Sequence, residues 1–351
     1  MFFLGDTRFV CTLAAQLDPN MKKRLFCAFA FLISYGTHAQ ILPSFGGSRT
    51  GTTGMQFLKI GVDARSAGLG GNSMAIISDV AAVNTNAAGL TKLDTNRLHL
   101  QLGRTNYFAG LGLNFAGIAY RLSSQAVVAV SLTSFSTENM PVTTEFQPFG
   151  TGETFGYNAN VLGLSYAKTL TDNFSFGISG KYATESIAGI VTQNALLDFG
   201  FMYDIGLANT KFAVSVNNFG LNVQPNGKIS VLSLTGARTA TDFERVSVPA
   251  VFRIGFAYDA IKNPIHQLTA IAQLNHPTDN NETLGLASEY MWRNTFFARL
   301  GYEFGQDETG IPAFGMGVRT RRNFGNLSID YGFNNKNRLG SVHRFTIGVG
   351  I

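Results

Sequence analysis

Charge is scarce in this chain. Asp, Glu, Lys and Arg make up 14% of its 351 residues, against about 25% in an average soluble domain. Cysteine is nearly absent, and both copies, Cys11 and Cys27, precede residue 40. A mature chain without that leader has no disulfide, no thiolate nucleophile and no cysteine metal site. Long apolar runs are missing as well. Hydrophobic residues reach 45%, yet no stretch after residue 40 supplies the roughly eighteen consecutive apolar residues of a spanning helix, which excludes a helical membrane protein.

Signs of catalysis are equally sparse. There is no Gly-x-Ser-x-Gly elbow and no His-Glu-x-x-His motif. Beyond residue 40 the histidines are His99, His266, His276 and His343. They are scattered, with His276 beside Pro277 in a turn, so structural roles are expected. We read no enzyme, no cofactor and no metal site from this pattern. The formal charge is +5, but the first 40 residues hold Arg8, Lys22, Lys23 and Arg24 against Asp6 and Asp18. The remainder has 23 basic and 20 acidic residues, +3, with no basic stripe interleaved with aromatics. A nucleic-acid partner is not expected.

Glycine and phenylalanine are abundant, at 39 and 30 residues. Low charge with many glycines and aromatics suits a transmembrane β-barrel, apolar outside and small or polar inside. The residue pattern agrees. From about Arg97, segments of roughly ten alternating residues are separated by polar, Gly- or Asn-containing turns. Phe252, Ile254, Phe256 and Tyr258 share one face, with Arg253, Gly255 and Ala257 on the other. Leu327, Ile329, Tyr331 and Phe333 oppose Ser328, Asp330, Gly332 and Asn334. A period of two puts each set on one face of a sheet.

Fourteen such segments begin near residues 97, 111, 125, 154, 174, 193, 211, 247, 266, 282, 295, 313, 326 and 343. An even number suits a closed antiparallel barrel. The 255 residues from Arg97 give each segment about 18, enough for a spanning strand and its turn. The long gaps at Ser136–Glu153 and Gly220–Val246 read as extracellular loops. Tyr120, Phe135, Tyr166, Tyr182, Tyr203, Tyr258 and Tyr302 fall near strand ends and predict an interfacial aromatic girdle. The alternation turns Asp198, Arg253, Arg299, Glu303 and Asp330 into the lumen, since each Arg facing mid-bilayer lipid would cost about 2–4 kcal/mol.

Upstream of the barrel the chain changes character twice. Met21–Gln40 has a basic start (Lys22, Lys23, Arg24), an apolar core from Leu25 to Tyr35, and Thr37-His38-Ala39 as a small-x-small site. This is the pattern of a Sec-type signal peptide cleaved after Ala39. Residues 1–20 then read as an over-extended start. Residues 40–96 read as a plug. Its centre, Phe57–Leu90, is rich in Gly and Ala and does not alternate. Gly61, Gly68, Gly70 and Gly71 allow tight turns or close packing, and Asp79 opens a short helical stretch that Gly89 ends.

This segment carries a resemblance. Phe57, Leu58, Ile60, Gly61, Ala64 and Arg65, then Gly68, Leu69 and Gly70, then Asp79, then Asn86, Ala88, Gly89 and Leu90 resemble the N-terminal run of the PorV/PorQ family of outer-membrane proteins, relatives of the FadL-type transporters. Ala87 stands where that family has Pro, and Thr85 replaces an aromatic. The resemblance continues through Pro249–Gly255, His276-Pro277, Asp279-Asn280, Glu289-Tyr290, Arg299-x-Gly301-Tyr302, Asp330–Phe333 and Leu339–Arg344.

It implies an outer-membrane barrel in contact with lipid, serving type IX secretion by binding the translocon or the C-terminal signal domains of cargo. The alternative it implies is FadL-like passive transport of hydrophobic compounds. It also brings forward Arg65, Asp79, Asn84, Asn86 and Gly89 as candidate ligand- or partner-binding positions. For the asparagines, a capping or turn role is the expected one. Arg65 is the plug's clearest cation, and Asp198, Glu303 or Asp330 is the expected carboxylate that anchors it to the wall.

Overall fold

The computed structural model describes residues 47–206, 209–233, 236–305, 311–322 and 325–351, all within one compact unit, Ser44–Ile351. The proposed early start, the signal peptide with its cleavage site, and both cysteines lie outside the described residues.

Fourteen strands close an antiparallel barrel. In chain order they are β1 (Leu98–Asn106), β2 (Gly112–Arg121), β3 (Ala126–Ser136), β6 (Tyr157–Thr171), β7 (Phe174–Ile187), β8 (Ile190–Asp204), β9 (Thr210–Gly220), β12 (Val251–Lys262), β13 (His266–Pro277), β14 (Thr283–Trp292), β15 (Phe296–Phe304), β16 (Ala313–Arg322), β17 (Gly325–Asn335) and β18 (Ser341–Gly350). β1 pairs with β18, with His99 opposite Gly350, so no edge is left open to template another chain. The two long gaps hold small hairpins of their own, β4 (Met140–Pro141) with β5 (Thr154–Phe155) and β10 (Ile229–Ser233) with β11 (Gly236–Ala240). Both gaps lie at the same end. The other end has short turns and both ends of the strand sequence, Leu98 and Gly350. Short turns mark the periplasmic side of such barrels and long loops the outside.

The alternation decides which residues meet lipid. Leu102, Ile118, Leu132, Leu164, Leu300, Met316 and Ile347 point outward and are exposed. At the short-turn end the outer aromatics form a row: Phe174, Phe201, Phe212 and Phe256, with successive ring centroids 5.8, 6.0 and 4.8 Å apart. Tyr120, Tyr182, Tyr203 and Tyr258 are also exposed on the outside. Phe135 departs from the expected girdle. It has inward parity, is buried, and packs edge-on against Tyr157 at 5.7 Å. Its position near a strand end was no guide, because parity rather than height decides the face.

The lumen is filled by residues 47–94. Turns at Gly47–Arg49 and Gln56–Lys59 lead into helix α1 (Ala64–Gly68), helix α2 (Ala82–Thr85) and a 3-10 turn at Ala87–Lys92. One half of the inner wall is apolar. There Phe57, Val62, Ile77, Val80, Val83 and Leu90 of the plug pack with Leu113, Phe115, Val127, Ala129 and Val161 of the wall. The other half, β14 to β18, presents glycines and charges.

The glycines are seats for the plug. A Cβ on Gly301 would stand 2.1 Å from the carbonyl carbon and oxygen of Leu69, and one on Gly315 2.9 Å from the Cα of Gly68. A Cβ on Gly332 would meet the Ala64 carbonyl oxygen at 2.4 Å, and one on Gly177 the backbone of Ala87 and Ala88. Plug backbone thus lies directly on wall backbone, which only glycine permits at these points.

Candidate functional site

Arg65 is placed by α1. Asp63 caps this helix, its side chain accepting from the Ser66 N–H at 2.7 Å. The Ala64 N–H donates to Thr346 Oγ1 at 2.9 Å, and Ala67 carbonyl accepts from Asn334 Nδ2 at 2.9 Å. The helix is therefore tied to β17 and β18 at both ends. This aims Arg65 across the lumen at β14.

Its partner there is Glu289. Arg65 Nε donates to Oε2 at 2.9 Å and Nη2 to Oε1 at 2.8 Å, a two-point guanidinium–carboxylate contact. Glu289 also accepts from Arg299 Nε at 2.7 Å, and Arg299 Nη1 donates to Asp330 at 2.6 Å. All four residues are buried. Two cations and two anions form a chain from the plug across β14, β15 and β17. Arg65 pairs with a carboxylate, but none of the three expected acids is its direct partner. Asp330 is one residue removed, behind Arg299. Asp198 and Glu303 belong to other clusters. Glu289 shares the inward parity of Thr283, Gly285 and Met291, a signal present in the sequence but obscured by the mixed character of that strand.

Asp198 sits at a bulge. Leu197 pairs with Phe219 and Phe199 with Val216, so Asn217 and Asn218 together face Asp198. Its carboxylate replaces the missing ladder bond, accepting from the Asn218 N–H at 2.7 Å and from Asn217 Nδ2 at 3.2 Å, and it pairs with buried Lys181. Arg253 donates to Asn217 Oδ1 at 2.5 Å. Glu303 accepts from Asn275 Nδ2 at 2.9 Å and from Thr283. All five charges expected in the lumen have inward parity.

The remaining plug candidates hold the chain's shape. Asp79 accepts from the Ala81 N–H at 3.1 Å and lies 3.9 Å from Arg65. Burial, with the nearby Asp63 carboxylate, pushes its own pKa up to about 7 against the pull of Arg65. Asn86 caps the 3-10 turn, accepting from the Ala88 N–H at 3.1 Å, and donates to the Phe201 carbonyl at 3.1 Å. Asn84 Nδ2 is buried without a hydrogen-bond partner. Gly89 does not end the helical stretch, which runs on to Lys92. It is glycine because a Cβ would lie 2.7 Å from both the carbonyl oxygen and Cγ2 of Ile77.

At the long-loop end, Asp279 gathers the lead into the plug. Its carboxylate accepts from Thr53 Oγ1 at 2.5 Å, Gln56 Nε2 at 2.7 Å and Lys59 Nζ at 3.0 Å. Although burial opposes ionisation, these bonds hold the carboxyl below the usual carboxylate range. At the short-turn end two cavities of 530 and 350 Å³ flank the plug, with Ser78, Lys92 and Arg319 lining both. On the lipid side of the wall a third hollow of 890 Å³ lies over Gly180 and Ala195, walled by Leu162, Leu164, Leu197 and Phe219.

A closed fourteen-strand barrel with an apolar outer belt and an N-terminal plug is an outer-membrane type of protein. The fold is that of the FadL-type barrels. The toluene transporter TodX of Pseudomonas putida matches at 12% identity and TM-score 0.55, over 82% of this chain and 96% of that one. The Ralstonia pickettii toluene transporter TbuX matches at 11% identity and TM-score 0.56, over 82% and 97%. A Pseudomonas aeruginosa FadL homologue gives 12%, 0.51, 82% and 97%. No family model and no curated protein matches the chain.

Proposed function

We propose that this barrel passes small hydrophobic molecules across the outer membrane, entering or leaving through its wall. The observation that carries this reading is the 890 Å³ apolar hollow on the lipid face, within the size range of ligand pockets. Its floor is small-sided at Gly180 and Ala195. Beside it, the β8–β9 ladder is interrupted at Asp198 and held by side chains. A wall stitched by side chains opens at lower cost than one closed by a continuous backbone ladder. The shared fold with barrels described as toluene transporters supports the same reading.

Uptake of radiolabelled toluene by intact cells carrying the protein in their outer membrane tests it. Wild type is expected to exceed the empty host, and Gly180→Phe, which fills the hollow from outside, to fall back toward it. Uptake by wild type at the level of the empty host would overturn the proposal.

A second reading has its own support. The buried Arg65–Glu289–Arg299–Asp330 chain and the glycine seats fix the plug firmly, and the plug segment resembles that of PorV/PorQ. A rigid, filled barrel suits a secretion component that binds a translocon or cargo at its outer face. Affinity purification from outer membranes, followed by mass spectrometry, separates the two. Recovery of a translocon subunit or of secreted proteins through their C-terminal domains favours this reading, and recovery of the barrel alone goes against it.

A further inference from the structure

The short-turn mouth carries a chemistry that neither reading uses. Ser78, Lys92 and Arg319 line both cavities there. Arg319 and Arg321 both have inward parity on β16, and Arg293 reaches the same space from the β14–β15 turn. That turn is a tight one, with Arg293 at φ 51° and Asn294 at φ 52°, which holds Arg293 at the rim.

The cations are unequally matched. Arg65 and Arg299 are ion-paired with Glu289 and Asp330. Lys92 pairs with Asp204 at the rim. Asp94, also lining the larger cavity, lies 3.3 Å from His99. Arg319 has no carboxylate within 4 Å among the described residues. It lies instead over the ring of Phe297, 4.6 Å from the centroid. Stacking on an aromatic face fixes the guanidinium plane and leaves its N–H edge available. Arg321 likewise has no ion pair among the described residues. A guanidinium fork held flat at the edge of a cavity matches the geometry of a carboxylate or phosphate.

We propose that the short-turn mouth binds a small oxyanion, carboxylate or phosphate, with Arg319 as the central donor and Arg321 and Arg293 as flanking cations. The cavity volume of 530 Å³ fits a small molecule. Asp79 lines the same space and tunes the site. Burial, then repulsion from Asp63 and Asp330 against the pull of Arg65 and Arg319, puts its pKa at about 7. Once charged it repels the ligand, so binding weakens as pH rises through 7.

The test uses the purified barrel in nanodiscs of neutral lipid. Calorimetry and the fluorescence of Trp292, the only tryptophan of the chain and next to Arg293, follow titration with benzoate or inorganic phosphate at constant ionic strength. Saturable binding is expected, weakened at least tenfold in Arg319→Gln, part-restored in Arg319→Lys, and unchanged in Arg104→Gln at the opposite end. Benzoate should bind better at pH 6 than at pH 8, with Asp79→Asn removing the difference. Nanodiscs with anionic lipid identify the source. Loss of benzoate binding there makes a lipid headgroup the occupant, and persistence makes it a soluble oxyanion. No saturation by either probe, or equal binding by wild type and a folded Arg319→Gln, would overturn the site.

Discussion

Arg65 of the plug and Glu289 of β14 meet in a two-point ion pair, 2.9 and 2.8 Å, with neither residue open to water. Glu289 answers two arginines, since Arg299 bonds the same carboxylate at 2.7 Å. Removing one partner of a buried pair leaves an uncompensated charge, typically at a cost of about 3–5 kcal/mol. Glu289→Gln removes the carboxylate that both Arg65 and Arg299 bond, whereas Arg65→Met leaves Glu289 still bonded by Arg299. The double variant Arg65→Met with Glu289→Met leaves Arg299 paired with Asp330, a neutral remainder. Planar-bilayer conductance should show openings most often in Glu289→Gln, less in Arg65→Met, and least of the three in the double variant. All should keep heat-modifiable migration in gels. A double variant worse than Glu289→Gln would show that packing, and not charge, holds the plug.

Glycine seats make a separate claim. A methyl on Gly301 would press on the Leu69 carbonyl at 2.1 Å, and backbone cannot move aside as a side-chain tip can. Gly61 has nothing within 4 Å of its virtual Cβ. Gly301→Ala should lower the denaturation midpoint of the barrel by an amount corresponding to about 1–3 kcal/mol, the usual penalty of overpacking. Gly61→Ala should be near neutral. Equal effects of the two would mean that the plug floats rather than rests on the wall.

These two contacts differ in how far the sequence showed them. The barrel was legible almost strand by strand, because period-two alternation is a local property and each segment carries it independently. Its faces were legible for the same reason, and Asp198, Arg253, Arg299, Glu303 and Asp330 all took inward parity. What was hidden depends on which strands stand opposite the plug. Glu289 lies 224 residues from Arg65, and no local pattern pairs them. The inward glycines, Gly285, Gly301, Gly315 and Gly332, looked like filler for a polar lumen. Their role becomes visible only when plug backbone is laid against them. Phe135 misled because strand-end position and strand face are independent.

Asp79 gives the plug a pH dependence of definite sign. Burial, then repulsion from Asp63, raises its pKa to about 7 from an ordinary value of 3.8. Between those values the folded state holds a proton that the unfolded state has released, so stability falls as pH rises across this window. Above pH 7 the charged group remains as a constant penalty. Urea denaturation followed by Trp292 fluorescence should give a lower midpoint at pH 8 than at pH 5.5, and Asp79→Asn should reduce the difference. A midpoint rising over this range, with the same slope in Asp79→Asn, would remove Asp79 from the account.

Asp279 acts in the opposite direction at the other mouth. Thr53, Gln56 and Lys59 all donate to its carboxylate, which is almost wholly buried. These three residues belong to the segment leading into the plug, and Asp279 belongs to the β13–β14 turn on the long-loop side. One carboxylate therefore straps this segment down where it faces the outside. Hydrogen bonds to a charged group contribute about 1.5–3 kcal/mol each, so loss of the acceptor should favour local opening by on the order of 2 kcal/mol, about a thirtyfold change in open population. Because its pKa is depressed, this stabilisation is complete above the ordinary carboxylate range and is lost as pH falls through and below it. Trypsin added to folded barrels in detergent reads the open state through cleavage after Lys59 and Arg49. Asp279→Ala should speed cleavage after Lys59 by roughly thirtyfold. Arg49, already exposed in the turn at Gly47–Arg49, should be cut at an unchanged rate and so serves as the internal control. Asp279→Asn, which keeps one acceptor oxygen but no charge, should fall between. If cleavage after Lys59 is equally slow in all three proteins, the strap is held by the pairing of Gly54 N–H with the Ser247 carbonyl, 2.9 Å, and Asp279 is only its neighbour.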